Sequence, residues 1–206
     1  MKKKRKRKYK FKPIISAILL LIVIIFIVWY FFFREKPIVV TVVSQIDEYD
    51  YYLDSNETRI YKKYYKELEK ELEDKKIDEE NYAQIITKLF VIDFYTLTNK
   101  LTNKDIGGIQ FVHPNLEEKF ITEASSTIYK YVKNNLSGSR RQKLPEVNKV
   151  EVTKIENIKY EKKEYEDESA YELTLKVSYV KDYDYPKKIT ITLVHYENKL
   201  VIVAVK

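Results

Sequence analysis

The hydrophobic pattern divides the chain into one long apolar block, three stretches with helical period and a C-terminal region with strand period. From Ile14 to Phe33 twenty residues carry no charge. At about 1.5 Å per residue such a helix covers ~30 Å, the hydrocarbon thickness of a bilayer. Further on, Tyr61, Tyr64, Tyr65, Leu68 and Leu72 fall at i, i+3, i+4, i+7 and i+11. That spacing predicts an amphipathic helix, capped by Asp54, Ser55 or Asn56. Asp78, followed by Glu79 and Glu80, predicts the start of a second helix, running to about residue 100. Ile85, Ile86, Leu89, Phe90, Val91, Ile92 and Phe94 leave that helix little polar face, so it is expected to be the most buried. A third helix is predicted from Pro114, with the stripe Leu116, Phe120, Ala124, Ile128 and Tyr131, ending before Gly138.

Residues 37–46, PIVVTVVSQI, are rich in β-branched side chains and predict a short strand or extended stalk. DEYDYYLDSNET after it is polar and is expected to turn. The remainder alternates. VNKVEVTKIENIKY does so imperfectly, which predicts a bend or bulge. Tyr171, Leu173, Leu175, Val177 and Tyr179 alternate strictly, as do Ile189, Ile191 and Leu193. LVIVAV is apolar at both parities and is expected to be covered on both faces, entered by a tight hairpin at Glu197–Asn198–Lys199. Helices separated in sequence from an antiparallel sheet mean an α+β fold. The expected architecture is an N-terminal transmembrane helix, then three helices packed on a four-strand antiparallel curved sheet, cone-like in outline. The expected boundaries are a basic cytoplasmic tail at 1–12, an anchor at 13–33, a short strand or stalk at 34–56 and an extracytoplasmic domain at 57–206.

Charge orients this plan. Nine of the 38 basic residues precede the apolar block with no acid among them, leaving 29 against 31 acids, a net of −2, in the rest. The positive-inside rule places the N-terminus in the cytoplasm and everything after the block outside. An apolar core this long, ending in Trp29, Tyr30 and three phenylalanines with no small-residue cleavage site, reads as an uncleaved signal anchor. With its net charge near zero, the outer domain is not expected to bind nucleic acid. The chain has no cysteine, so neither disulfides nor thiol chemistry enter. Nineteen tyrosines with abundant Lys, Ile and Asn match an AT-rich, bacterial genome.

The order of anchor, short Pro37-Ile38-Val39-Val40 strand, helices and C-terminal antiparallel sheet resembles the cone fold of nuclear-transport-factor-like domains. On a single N-terminal span it is similar to the inner-membrane scaffold subunits of type IV secretion and conjugation machines. That resemblance implies a non-enzymatic assembly role, self-association and contacts with other envelope proteins.

Few residues suggest chemistry. Asp93 interrupts the most apolar helix, and His195 shares parity with Ile189, Ile191 and Leu193. Both are candidates to line a ligand pocket, either as satisfied structural groups or as an acid–base pair. Tyr61, Tyr64 and Tyr65, with Arg140 and Arg141 in a basic loop, are candidates to bind a partner. Two distant histidines and no cysteine make a metal site improbable, no cofactor is expected, and no nucleotide or nucleophile motif is present. The expected function is that of a membrane-anchored, protein-binding scaffold domain of the bacterial envelope rather than an enzyme, its partners the lipid bilayer, other envelope proteins and copies of itself. A small-molecule or peptide sensor using a cone pocket remains the alternative.

Overall fold

The computed structural model describes the backbone of residues 11–33, 37–162 and 165–206, and in the first helix the side chains of 15–31. Of the basic tail expected at 1–12, residues 1–10 lie outside the described residues. Two compact units result, Met1–Pro37 and Ile38–Lys206. The first contains helix α1, Phe11–Phe33. Its described side chains, Ile15–Phe31, span about 26 Å at the helical rise. Among the described residues no helix is long and apolar enough to cross a membrane.

The second unit is α+β. It contains β1 (Val42–Ile46), β2 (Tyr51–Asp54), α2 (Arg59–Glu73), α3 (Glu79–Tyr95), α4 (Pro114–Ser126), β3 (Val147–Lys162), β4 (Tyr165–Tyr179), β5 (Lys188–Tyr196) and β6 (Lys199–Val205). The last four form an antiparallel sheet in sequence order. β3 bulges at three places, as its broken alternation predicts. Leu173, Leu175, Ile189, Ile191 and Leu193 face the core, and Leu200 to Val203 are buried at both parities. Val194, Val201 and Val203 sit in a smaller second cluster with Tyr160 and Ala170.

The three helices do not lie side by side on the sheet, as the pattern suggested. α3 is the helix with extensive contact to it, against β3 and β4, and α2 packs on α3. α4 meets α3 through Phe120, whose ring lies 5.8 Å from that of Phe90 and 5.1 Å from that of Phe94. α3 is central because it is apolar around its girth: Ile85, Ile86, Leu89, Phe90 and Ile92 are all inaccessible or nearly so. Each such side chain contributes about 1.5–3 kcal/mol on burial.

Helix starts follow local signals. Thr58 rather than Asp54, Ser55 or Asn56 caps α2, Asp78 caps α3, and Pro114 opens α4. The ends differ from expectation. α3 stops at Tyr95, because Thr96 turns extended and the chain folds back on the helix. α4 stops at Ser126, where the hydroxyls of Ser125, Ser126 and Thr127 bond carbonyls three and four residues back and compete with the helix. Tyr131 is therefore three-quarters exposed and Tyr129 is the buried ring. Within the expected turn DEYDYYLDSNET, Tyr51 and Leu53 are buried and Tyr52 is exposed. That alternation makes β2, which pairs with β1 in a separate two-stranded sheet.

Candidate functional site

The turn-back after α3 creates the most unusual chemical environment in the domain. Lys100 is 3% exposed and its ammonium contacts Asp93 Oδ1 directly. Asp93 Oδ2 accepts the backbone N–H of Gly108 at 2.6 Å. Glu57, from the loop before α2, brings Oε1 to 3.9 Å from Lys100 Nζ, with its side chain 7% exposed. Asp93 and Lys100 are the two charged residues in the buried set among the described residues. A buried charge is tolerated only when paired, and these two are.

Glycine makes the geometry possible. A Cβ on Gly107 would fall on the Asp93 carbonyl oxygen and Oδ1, and Gly108 adopts a left-handed φ of 79° under the Phe90 ring. The Gly107 N–H donates to the Tyr129 hydroxyl at 3.0 Å, and that hydroxyl donates to the Phe94 carbonyl at 2.7 Å. Gly107–Gly108, a bare turn by sequence, is the floor on which the Asp93 carboxylate rests.

Burial pulls the Lys100 ammonium down while Asp93 and Glu57 push it up; the carboxylates win, so it is held above the ordinary lysine value. Burial, and then the Asp93 charge, push Glu57 up to about 8. A protonated Glu57 needs an acceptor. Asn99 Nδ2 lies 3.3 Å from Glu57 Oε2, and Asn99 Oδ1 is buried without a partner. Turning that amide over lets Oδ1 accept the carboxyl proton, in exchange for the bond that Nδ2 donates to the Asn56 carbonyl at 3.4 Å.

The triad forms one wall of a half-open cleft of about 470 Å³. Tyr52, Asp54, Lys104 and Asp105 complete its charged and aromatic rim. Behind it, Arg140 donates to the carbonyls of Leu97, Thr98, Lys100 and Lys133 at 2.7–3.1 Å.

His195 is elsewhere. It lines a second cleft, of about 600 Å³, with Glu79 and Tyr82. It lies at the end of β5, where its side chain is 37% exposed. Its Nδ1 is 2.9 Å from Asp167 Oδ2, its backbone N–H donates to the same oxygen at 2.7 Å, and Nε2 is 3.7 Å from Glu79 Oε2. Burial raises the Asp167 carboxyl, but hydrogen bonds from the His195 and Ser169 backbones outweigh it and hold it low. Asp93 and His195 thus line separate clefts and form no acid–base pair.

The expected partner surface also changes. Tyr61 and Tyr65 are 1% and 0% exposed and belong to the core. The Tyr65 hydroxyl donates to the Tyr51 carbonyl at 2.9 Å. Tyr64 is half-buried beneath Lys63 and Lys88. Arg140 is spent on carbonyls, which leaves Arg141 as the exposed member of the basic pair. Open apolar surface is instead found on β1 and just before it, where Val39, Val42 and Val43 are 54–73% exposed, and singly at Tyr131, Leu136 and Val180. The outer edge of β2 is sealed by Gln110, whose side-chain amide exchanges hydrogen bonds with the Tyr52 N–H and carbonyl at 2.8 and 3.1 Å. No described strand pairs with the outer edge of β1.

Sequence reasoning passed over His113. It is buried between the rings of Tyr165 and Tyr196, at 4.1 and 4.6 Å, and its Nδ1 accepts the Asn115 N–H as the cap of α4. Its place before Pro114 was the available signal. Among the described residues no three His, Asp or Glu side chains are arranged to hold a metal ion. No family model, no curated protein and no solved structure matches this chain.

Proposed function

We propose that this is a single-pass membrane protein whose domain, Ile38–Lys206, lies outside the bacterial cell membrane and binds other envelope proteins. Anchoring is supported by the sequence and the helix together. Helix α1 runs Phe11–Phe33, its residues 13–33 carry no charge, and every described side chain on it is exposed. A lipid surround covers such a surface, and the basic block before it sets its direction.

The observation that carries protein binding is the β1 edge. An unpaired strand edge bordered by exposed valines invites another chain to add a strand, and the irregularity between Val42 and Ser44 limits that pairing to part of the edge. The buried charges, by contrast, are paired with one another. A role in assembling a secretion or conjugation machine agrees with the order of elements in the chain. A second reading, a sensor for a small molecule or peptide, is favoured by the half-open cleft beside Glu57.

The absence of cysteine makes the topology test clean. A single cysteine replacing Lys206 is expected to react with a membrane-impermeant maleimide in intact cells, and one replacing Lys3 only after lysis. Reaction of both, or recovery of the chain without membranes, refutes the anchor. A photo-crosslinking residue at Val43 is expected to give discrete protein adducts in native membranes that one at the exposed Lys66 does not. Identical patterns at the two positions refute the edge as the binding surface.

A further inference from the structure

We propose that Lys100 and Asp93 condense into an intramolecular amide, with Glu57 as the proton shuttle. Three features of the site support this. The reacting groups touch: Lys100 Nζ lies directly against Asp93 Oδ1, and such positioning is what a condensation needs. The two side chains are largely withdrawn from water, each about nine-tenths buried or more, within the wall of the half-open cleft. The third group is close by, Glu57 Oε1 lying 3.9 Å from the nucleophile, a span that one rotamer adjustment or a bridging water closes. Exposed pairs such as Lys63–Glu67, at 68% and 44% exposure, share the chemistry but stay hydrated.

The step balances without any co-reactant. The ground state is an ion pair. Internal proton transfer from the ammonium to the carboxylate gives a neutral amine and a neutral acid with the same number of protons. Burial disfavours both charges, but the Asp93 and Glu57 charges outweigh it at Lys100, so the neutral pair is the minor form from which the step proceeds. Lys100 Nζ attacks Asp93 Cγ to give a tetrahedral intermediate. The Gly108 N–H, already 2.6 Å from Oδ2, donates to the oxygen that gains charge. Glu57 takes a proton from the nitrogen and returns one to the leaving oxygen. One C–N bond forms, one C–O bond breaks, and one water leaves; nothing is oxidised or reduced. The raised Glu57 carboxyl suits this exchange, since a shuttle works best when its pKa lies near the ambient pH. Holding the groups in contact is worth an effective concentration of roughly 10⁵–10⁸ M. The product ties the loop after α3 to the helix covalently, in a domain without disulfides.

Mass spectrometry decides. The full chain, purified in detergent, is digested with trypsin. The peptide Leu89–Lys104 is expected uncleaved after Lys100 and one water lighter than its sequence. Lys100→Arg and Asp93→Ala are expected to restore cleavage after residue 100 and to give the peptide 89–100 at its full mass. Glu57→Gln keeps both reactants and is expected to slow or abolish the loss, while circular dichroism reports that it folds. Asp93→Asn is expected to lose ammonia instead and reach the same final mass. A folded wild-type chain that trypsin cleaves after Lys100, giving Leu89–Lys100 at its full mass, overturns the proposal. So does a water loss that persists in Lys100→Arg.

Discussion

Glu57 gives the domain an unusual dependence on pH. In the unfolded chain its carboxyl ionises near the ordinary value of 4.5, and in the folded chain burial moves it to about 8. A raised folded value means that the native state holds a proton the unfolded state has released. Stability therefore falls as pH rises between these two values, with a slope of up to about 1.4 kcal/mol per pH unit. Across the window the full shift corresponds to about 5 kcal/mol. Solvent in the half-open cleft offsets part of this, which leaves about 2–4 kcal/mol. Glu57→Gln keeps the shape and the contact with Asn99 but cannot ionise. The wild-type chain is expected to lose urea resistance from pH 5 to pH 8.5, and the variant to stay nearly level. Tyrosine near-ultraviolet circular dichroism reports the domain, because the single tryptophan, Trp29, belongs to α1. The comparison is between slopes, so a constant offset between the chains does not enter. Amide formation between Asp93 and Lys100 removes one charge of each sign and leaves burial acting on Glu57, so the sign holds. Parallel slopes for the two chains refute the account.

Two further substitutions probe the scaffold behind the cleft. Arg140→Ala strips hydrogen bonds from the carbonyls of Leu97, Thr98, Lys100 and Lys133 and is expected to cost about 2–4 kcal/mol in urea unfolding, against less than about 0.5 for Arg141→Ala; equal effects refute the distinction. Tyr129→Phe leaves the Gly107 N–H and the Phe94 carbonyl buried without partners and is expected to cost about 1–3 kcal/mol, with faster hydrogen exchange at Gly107 and Gly108 as its local signature.

Much of the fold is legible because it is local. Period and punctuation lie within a few residues of one another, so Asp78 and Pro114 marked helix starts and strict alternation marked Leu173, Leu175, Ile189 and Ile191 as inward-facing. The apolar girth of α3 likewise marked it as the central helix. Where local signals compete, the reading failed: polarity at 47–58 hid the Tyr51–Leu53 alternation, and tertiary packing ended α3 at Tyr95.

The site was legible only in fragments. Asp93 stood out as a lone acid in an apolar helix, but its partners come from a lysine seven residues on, a glycine pair and Glu57, thirty-six residues upstream. Nothing in the local pattern distinguishes Lys100 from the other lysines, or Arg140 from Arg141. His195 obeyed its parity yet lies at the sheet's end, where position along the strand, not parity, sets exposure. By itself the sequence determined the α+β class, the starts of α3 and α4 and the inward faces of β4 and β5, because these follow from backbone geometry and burial summed over neighbours. The tertiary structure alone decided which buried charges meet and which arginine is consumed, because those depend on distances through space that chain spacing does not encode.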